Sequence, residues 1–530
     1  MKSTSVPFSK TGFFSNLVLD YLDEKPNLAS LYKYSVSTES FSKVIADKKN
    51  QKIDRTTLVT VLREQYNNIS VNTAVKNNID ALLSEFTFTI ATAHQPNLFL
   101  GPLYFIYKIA SVINLAKQIQ IKNPANIIIP VYWMGSEDHD VAELAQVTLM
   151  GKKLEWNPQQ SGAFGRMIAK DLEPLIDEIK ELIGNLGDAE HIIAQLKEYY
   201  NGKNTIATAT RLFVNSIFGK YGLVIVEGDD ARLKTLYSNV IEDELLNNRS
   251  EKLITPVVNE MERTYTVQAK PRSINLFYLK EGMRNRIEKT GENRWTVVNS
   301  SISFSENELK KEIASYPEHF SPNVILRGLY QETILPNLAF VGGGAEVSYW
   351  LELKPLFDYY KVNYPIILLR SSCLIINKIK STHIKKMGFS VEELFLSSDS
   401  LIKIYLRKTS STETKLNDLR EKLEGLFNTL KEDAIAVDPT LEASVMAEKA
   451  KADKGIEAIE QKIIRAEKRK QEQAVSQIIG IKDKFFPGNG LQERIENFIP
   501  FYTKYGEGLI EQLVESLDPL QKSFIVLSEE

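Results

Sequence analysis

A single cysteine, Cys373, is all the chain carries. No disulfide can form within it, and its stability has to come from packing, as suits a reducing compartment. Charge of one sign is also lacking: 65 basic and 68 acidic residues leave a formal net charge of −3 at pH 7, which gives no support for general nucleic-acid binding. No run approaches the roughly 18–20 apolar residues of a membrane helix. The opening residues MKSTSVPFSKTGFF hold no apolar stretch followed by a cleavage signal. The expectation is a soluble, cytoplasmic protein with neither a nucleic-acid nor a membrane partner. Apolar content is not scarce: 43% of 530 residues is enough for a large core and more than one domain.

Against that background two strand-to-turn junctions stand out. In the first, a β-favouring run (Phe86–Ala91) passes into a polar turn with His94, Gln95 and Asn97, and Gly101-Pro102 opens an apolar, aromatic helix expected over Gly101–Gln120. Proline suits a first helical turn, where its missing N–H would be unpaired anyway. The free N–H groups and positive dipole end of such a helix make an anion site. In the second, the apolar run Ile127–Trp133 ends in Gly135-Ser136-Glu137-Asp138-His139-Asp140. Four ionisable residues in a row after a strand do not serve packing, and the active site is expected here.

Residues 1–85 read as an N-terminal helical segment packed on the core, because Thr56–Tyr66 and Val71–Leu83 space apolar residues at three and four. A core over 86–385 follows, with inserted segments at about 150–220 and 240–320. Its expected strands are the two above, then Gly222–Val226, Ile274–Leu279, Asn323–Arg327, Leu338–Val341 and Pro365–Leu369. Unalternated apolar strands between amphipathic helices indicate an α/β fold with a parallel sheet covered on both faces. Such sheets bind ligands beyond the carboxyl ends of their strands, which is where both junctions lie.

A third candidate turn follows Leu338–Val341. Gly342, Gly343 and Gly344 would let a backbone approach a ligand, with Glu346 and Tyr349 next at helical spacing and Arg327 and Gln331 upstream. The triplet is neither the GxGxxG dinucleotide fingerprint nor a GxxxxGK[ST] loop, and a tight turn without function is the plain alternative. The β-rich stretch Glu262–Asn299 carries Arg272, Arg284 and Arg286. These would suit an anionic substrate, although solvated or ion-paired arginines are commoner.

Residues 386–486 change character. Leu416, Leu419, Leu423, Leu426 and Leu430 repeat at three and four. Asp438-Pro439 starts a second helix, expected to run unbroken to about Lys484, with Val445, Ala452, Ile456, Ile459, Ile463 and Ala466 on one seam. Two antiparallel helices projecting as a coiled-coil arm, and a homodimer formed through it, are the expectation. Lys468-Arg469-Lys470 is most simply a solvated face. Residues 487–530 return to the core as helices, with Gln492, Glu493, Arg494 and Asn497 polar beside apolar positions, where they would either line a pocket or lock the arm to the core.

The stretches TAHQPNLFLGPLYFIYK, IPVYWMGSEDHDVAEL, LRGLYQETILPNLAFVGGGAEVSYW and FPGNGLQERIENF, in that order and spacing, resemble the bacillithiol biosynthesis cysteine-adding enzymes, a family of cysteine ligases. The resemblance covers nearly the whole chain. It implies a Rossmann-like core of nucleotidylyltransferase type with inserted segments and a coiled-coil dimerisation arm. It also implies a carbon–nitrogen ligase (EC class 6) that joins the cysteine carboxyl to the amine of glucosaminyl-malate in the last step to the low-molecular-weight thiol bacillithiol. ATP or ADP is the implied cofactor. On that reading His94, Gln95, Asn97 and the Gly101 turn hold phosphate or carboxylate oxygens, and Asp138 and Asp140 hold the amine or Mg²⁺. His139 takes a proton, since imidazole titrates near neutrality. Lys108 lies deeper in the first helix. The family's Thr-Gly-Gln/His-Gln and Gly-Gly-Pro-Gly-Glu patterns stand here as Thr92-Ala93-His94-Gln95 and Gly342-Gly343-Gly344-Ala345-Glu346, so the polar positions are kept. The Lys-Met-Ser-Lys-Ser loop of adenylate-forming relatives is absent; Leu369-Arg370-Ser371-Ser372-Cys373 stands in its place, with Lys378 and Lys380 beyond. Two rival readings are a metal-dependent hydrolase using His94 and Glu137–Asp140, and a coiled-coil scaffold with an inactive nucleotide-binding core.

Overall fold

The computed structural model describes residues 1–409 and 412–530, apart from the side chains of 412–418 and 467. Strand β1 (Thr87–His94) is buried at all eight positions, which only a strand covered on both faces can be. Its neighbours are β2 (Ile127–Met134), β3 (Val224–Glu227), β4 (Asn337–Gly342) and β5 (Ile366–Leu369), in the order β5-β4-β1-β2-β3 with every pair parallel. This is the α/β sheet expected, built from apolar and β-branched runs. Helix α1 (Tyr104–Lys122) packs on β1 and β2. Helix α2 (Val324–Ile334) precedes β4, and helix α3 (Gly344–Tyr360) follows it. Register places His94 beside Met134, so the two polar turns leave the sheet side by side.

Two expected core strands lie elsewhere. Asn323–Arg327 is the start of α2: the Asn323 side chain accepts the Ile325 N–H at 2.9 Å, and this cap outweighs the β preference of a short apolar run. Ile274–Leu279 belongs to the insertion. There Leu276–Lys280 pairs antiparallel with Met283–Gly291 across a two-residue turn, in a five-stranded sheet with Arg294–Val297, Ser303–Ser305 and Phe320–Pro322. A short apolar run cannot by itself say which sheet it joins.

The helix expected from Gly101 begins at Tyr104, so Pro102 lies outside its first turn. The intervening residues Phe99, Leu100 and Gly101 all have positive φ (48°, 67° and 60°), and a side chain at Gly101 would place its Cβ 2.7 Å from that of Asn97. Asn497 holds this turn, its Nδ2 donating to the carbonyls of Phe99 (3.0 Å) and Gly101 (2.5 Å). The ends of the chain also differ from the all-helical expectation. Lys2–Pro7 and Ser523–Ser528 are strands, forming a three-stranded sheet with Ser372–Ile376.

The chain divides into two compact units, 7–374 with 492–525, and 375–491 with 1–6 and 526–530. In the second, α4 (Thr412–Val437) and α5 (Glu442–Lys470) form a hairpin. Its antiparallel register is fixed by Lys431–Glu442 (2.6 Å), Lys449–Glu424 (3.2 Å) and an Arg420–Glu460 pair. As expected, Asp438 caps the turn. The expected unbroken helix stops at Lys470, and a separate helix, Glu472–Phe485, follows the non-helical Gln471. The leucine seam also divides: Leu423 is half-buried in the hairpin, whereas Leu419, Leu426, Leu430 and Ile459 are exposed. The side chain of Leu416 lies outside the described residues. No helix among those residues is long and apolar enough to cross a membrane.

Candidate active site

The two turns and the glycine turn open into one cleft of about 1100 Å³ at the carboxyl ends of the strands, the expected position for an open parallel sheet. Gly135 N–H donates to the His94 carbonyl at 2.8 Å, clamping the first two turns together. Gly165 N–H donates to the Ser136 carbonyl at 2.9 Å, and a Cβ at Gly165 would sit 2.6 Å from that oxygen. Gly165→Ala is therefore expected to displace the acidic turn and destabilise the fold by about 1–3 kcal/mol. Thermal unfolding alongside a ligand titration checks this, and wild-type values in both would refute it.

His94 is buried, edge-on to Tyr104, and its Nε2 has no partner. Burial, then the neighbouring charges of Lys108 and Arg370, hold its pKa well below the usual imidazole value. The ring is thus held neutral, and the residue lines the cleft although its unpartnered Nε2 is buried. Gln95 donates to Asp138 Oδ2 at 3.0 Å, joining the two turns through side chains. Asp138 Oδ1 accepts the His139 N–H at 2.7 Å. Asp140 caps the short helix Val141–Leu144 by accepting the Glu143 N–H at 3.1 Å. Burial, then Asp138 and Asp140 beside it, push the Glu143 carboxyl up, and the two neighbouring carboxylates are the part of that shift that a bound cation would relieve. His139 Nδ1 lies 2.9 Å from an Arg284 nitrogen. A guanidinium can only donate, so that ring nitrogen accepts and its lone pair is occupied. Burial and then the Arg284 charge also depress the His139 pKa. Glu137 is tied to the buried Lys234 at 2.5 Å.

A second group of lining residues is mostly cationic. Gly343 and Gly344 begin α3, and the Glu346 carboxylate accepts the Gly343 N–H at 2.8 Å. Glu346 also pairs with Lys108, which donates to the Ala93 carbonyl at 2.8 Å. Arg327 donates to the Tyr349 hydroxyl (2.8 Å) and to Gln331 (3.2 Å). Arg370 follows β5, is held by Glu493 at 2.7 Å, and keeps its Nε buried without a partner. Arg494 completes this group.

The structure thus brings His94, Gln95, Glu137, Asp138, His139, Asp140, Arg327, Gly343, Gly344, Glu346 and Tyr349 to one cleft. Four residues of the candidate turns and of the helix upstream do not line it. Asn97 and Gly101 shape the turn behind His94, Gly342 ends β4, and buried Gln331 orients Arg327. Lys378 and Lys380 belong to the other compact unit. Three further residues line the cleft: Arg370, which the sequence did not single out, Lys108, which its depth in the helix had set aside, and Arg494, one of four polar residues expected either to line a pocket or to lock the arm to the core. For Lys108 a signal was present, since a lysine inside the apolar helix FIYKIASVI is rarely buried without a task. The cluster read as a metal centre does not converge: Glu137, Asp138, His139 and Asp140 turn to different partners. No group of three or more metal-ligating side chains occurs among the described residues.

Fold and cleft together define a Rossmann-like α/β protein with a cleft at its strand ends and a coiled-coil arm. Residues 1–371 match the family described as "Bacillithiol biosynthesis BshC, N-terminal Rossmann-like domain", and residues 373–529 match its "C-terminal coiled-coil domain". The chain belongs to the BshC family. Proteins named "Putative cysteine ligase BshC" from Flavobacterium psychrophilum (40% identity, 99% of both chains) and Flavobacterium johnsoniae (38%, 100% of both) resemble it from end to end. That of Cytophaga hutchinsonii is 40% identical over 96% of this chain and 95% of its own.

Proposed function

We propose that this protein is a cysteine ligase that joins the carboxyl of cysteine to the amine of glucosaminyl-malate, the last step in making bacillithiol in the cytoplasm. The observation that carries the reading is one cleft lined both by acidic residues suited to an ammonium group (Asp138, Asp140 and Glu143) and by cationic residues suited to carboxylate and phosphate (Lys108, Arg327, Arg370 and Arg494). Asp138, with the negative potential around Glu143, holds the amine. His94 is the proton acceptor better suited than His139, because its ring is neutral and its Nε2 unengaged, whereas Arg284 occupies His139 Nδ1. Arg327, Lys108 and the α3 N-terminus offset charge developing on the carbonyl oxygen.

An adenine nucleotide fits by donor chemistry. The unpartnered Nε of Arg370, with Arg327 and the Gly344 end of α3, would hold phosphate oxygens. The nucleotide would supply the driving force for amide formation, and Arg370 would stand in for the missing Lys-Met-Ser-Lys-Ser cations. Mg²⁺ would rest on Asp140 and substrate oxygens, leaving Asp138 to the amine, since that ion is usually held by one or two carboxylates plus substrate.

Mass spectrometry of cysteine, glucosaminyl-malate and ATP incubated with the protein tests the reading. Bacillithiol is expected from the wild type and not from Asp138→Asn. No product, and no ligand-induced change in melting temperature, would favour the inactive scaffold instead. The open seam Leu419, Leu426, Leu430 and Ile459 is proposed to pair with a second copy. Leu419→Glu/Leu426→Glu should halve the mass seen by light scattering, and an unchanged mass would refute the pairing.

A further inference from the structure

The cleft has an annex that the reaction as described does not use. A recess of about 420 Å³ adjoins it, lined by Arg272, Arg284, Arg286 and Phe277 with Asn285 and Asn299. His139, Arg272, Phe277, Arg284 and Arg286 line both spaces, so a ligand could occupy the two at once. Three guanidinium groups and two carboxamides face the recess, and no acidic side chain is among its lining.

The arrangement is built by strand geometry. Arg284 and Arg286 are two apart on Met283–Gly291 and so share one face of the sheet. Phe277 pairs with Arg286 in the register, and its ring lies 4.0 Å beneath the Arg284 guanidinium. Arg284 is buried and locked. Its Nε donates to Ser321 at 3.0 Å, one terminal nitrogen meets His139 at 2.9 Å, and the other donates to the Pro322 carbonyl at 3.3 Å. Each terminal nitrogen carries two hydrogens, so one N–H on each is left over. Arg286 has only a 3.5 Å contact with Glu288. The Arg272 guanidinium has no hydrogen-bond or ion-pair partner among the described residues. A fixed fork with spare donors, flanked by two exposed arginines, matches planar carboxylates, which guanidinium groups bind two hydrogen bonds at a time.

We propose that this annex is the dicarboxylate subsite, where Arg272, Arg284 and Arg286 take the two carboxylates of the malyl group while the sugar amine lies against Asp138 in the main cleft. The inference rests on the proposed function and adds which end of the acceptor goes where. Phosphate chemistry is allotted to the other cationic group, at Arg327, Arg370 and the α3 N-terminus, which comes from different elements. His139, between annex and acidic turn, becomes a positioning residue that holds the Arg284 fork.

Titration calorimetry with glucosaminyl-malate, methyl glucosaminide, cysteine and ATP, on wild type and Arg272→Ala/Arg286→Ala, tests this. Both replaced side chains are exposed, so the variant should fold, which its melting curve verifies. The wild type should bind glucosaminyl-malate well above methyl glucosaminide. The variant should lose about tenfold or more for glucosaminyl-malate, nothing for cysteine or ATP, and most of the preference over methyl glucosaminide. Equal glucosaminyl-malate affinity in both proteins would overturn the subsite and leave the ligase reading intact. A loss for ATP instead would reassign the annex to phosphate and overturn the dicarboxylate claim. A wild type that binds no glucosaminyl-malate would overturn the ligase reading and this inference with it.

Discussion

His94→Ala is expected to lower bacillithiol formation by about a hundred- to ten-thousandfold, the range a positioned general base contributes, with the far-ultraviolet circular dichroism of the wild type retained. His139→Ala should do less, because its ring nitrogen serves Arg284 and not the substrate. The same residue makes a pH prediction whose sign follows from its burial. His94 in the folded protein is depressed well below the ordinary imidazole value, chiefly by burial, whereas the unfolded chain takes up a proton near pH 6.5. As pH falls below about 6.5 the unfolded state binds the extra proton, so folding stability declines by roughly 1.4 kcal/mol for each further pH unit, until the folded imidazole also protonates. Above that pH neither state is charged and the contribution vanishes. His94→Ala should remove this part of the acid slope in denaturant unfolding followed between pH 7 and pH 5. An unchanged slope would mean that the ring is not held neutral, and its role as proton acceptor would fail with it.

The second large effect concerns the support of the cationic group. Glu493 is fully buried, accepts from Arg370 at 2.7 Å, and also takes the Cys373 N–H at 2.9 Å. Glu493→Ala leaves a buried guanidinium without its counter-charge and an amide without its acceptor. The expected loss is about 3–5 kcal/mol, the usual consequence of breaking a buried pair by removing one partner. The double variant Glu493→Leu/Arg370→Met should be less destabilised than Glu493→Ala, because it leaves no charge behind, yet should be as inactive as Arg370→Met alone. Urea unfolding monitored by tryptophan fluorescence reads the stability. A single-variant loss below about 1 kcal/mol would be that of an exposed pair and would refute the buried arrangement. Asn497, four residues on, holds the Phe99–Gly101 turn in the same way. The segment returning after the arm therefore builds the site from behind.

Much of the cleft was legible because chemistry and period agreed there. Buried apolar strands ending in polar turns mark the open end of a parallel sheet, and the Gly135–Asp140 run has no use in packing. The arm was legible from its heptads and from the Asp438 cap. Two of the misreadings share one cause: the runs Asn323–Arg327 and Ile274–Leu279 are too short for their period to speak, and a cap or a hairpin turn settled them instead.

By itself the sequence determined the α/β class, the two acidic and histidine turns, the coiled-coil hairpin and the membership its four motifs announce, since each is encoded in neighbouring residues. Tertiary structure alone decided which polar residues meet. It put Arg284 from the insertion on His139, Arg370 and Arg494 from distant segments into the cleft, and Asn97 and Gln331 behind it. Contacts between residues more than a hundred positions apart, such as Arg370 with Glu493 or Asn497 with Gly101, leave no periodic trace in the chain. They arise from the packing of whole elements, and only the folded molecule expresses them.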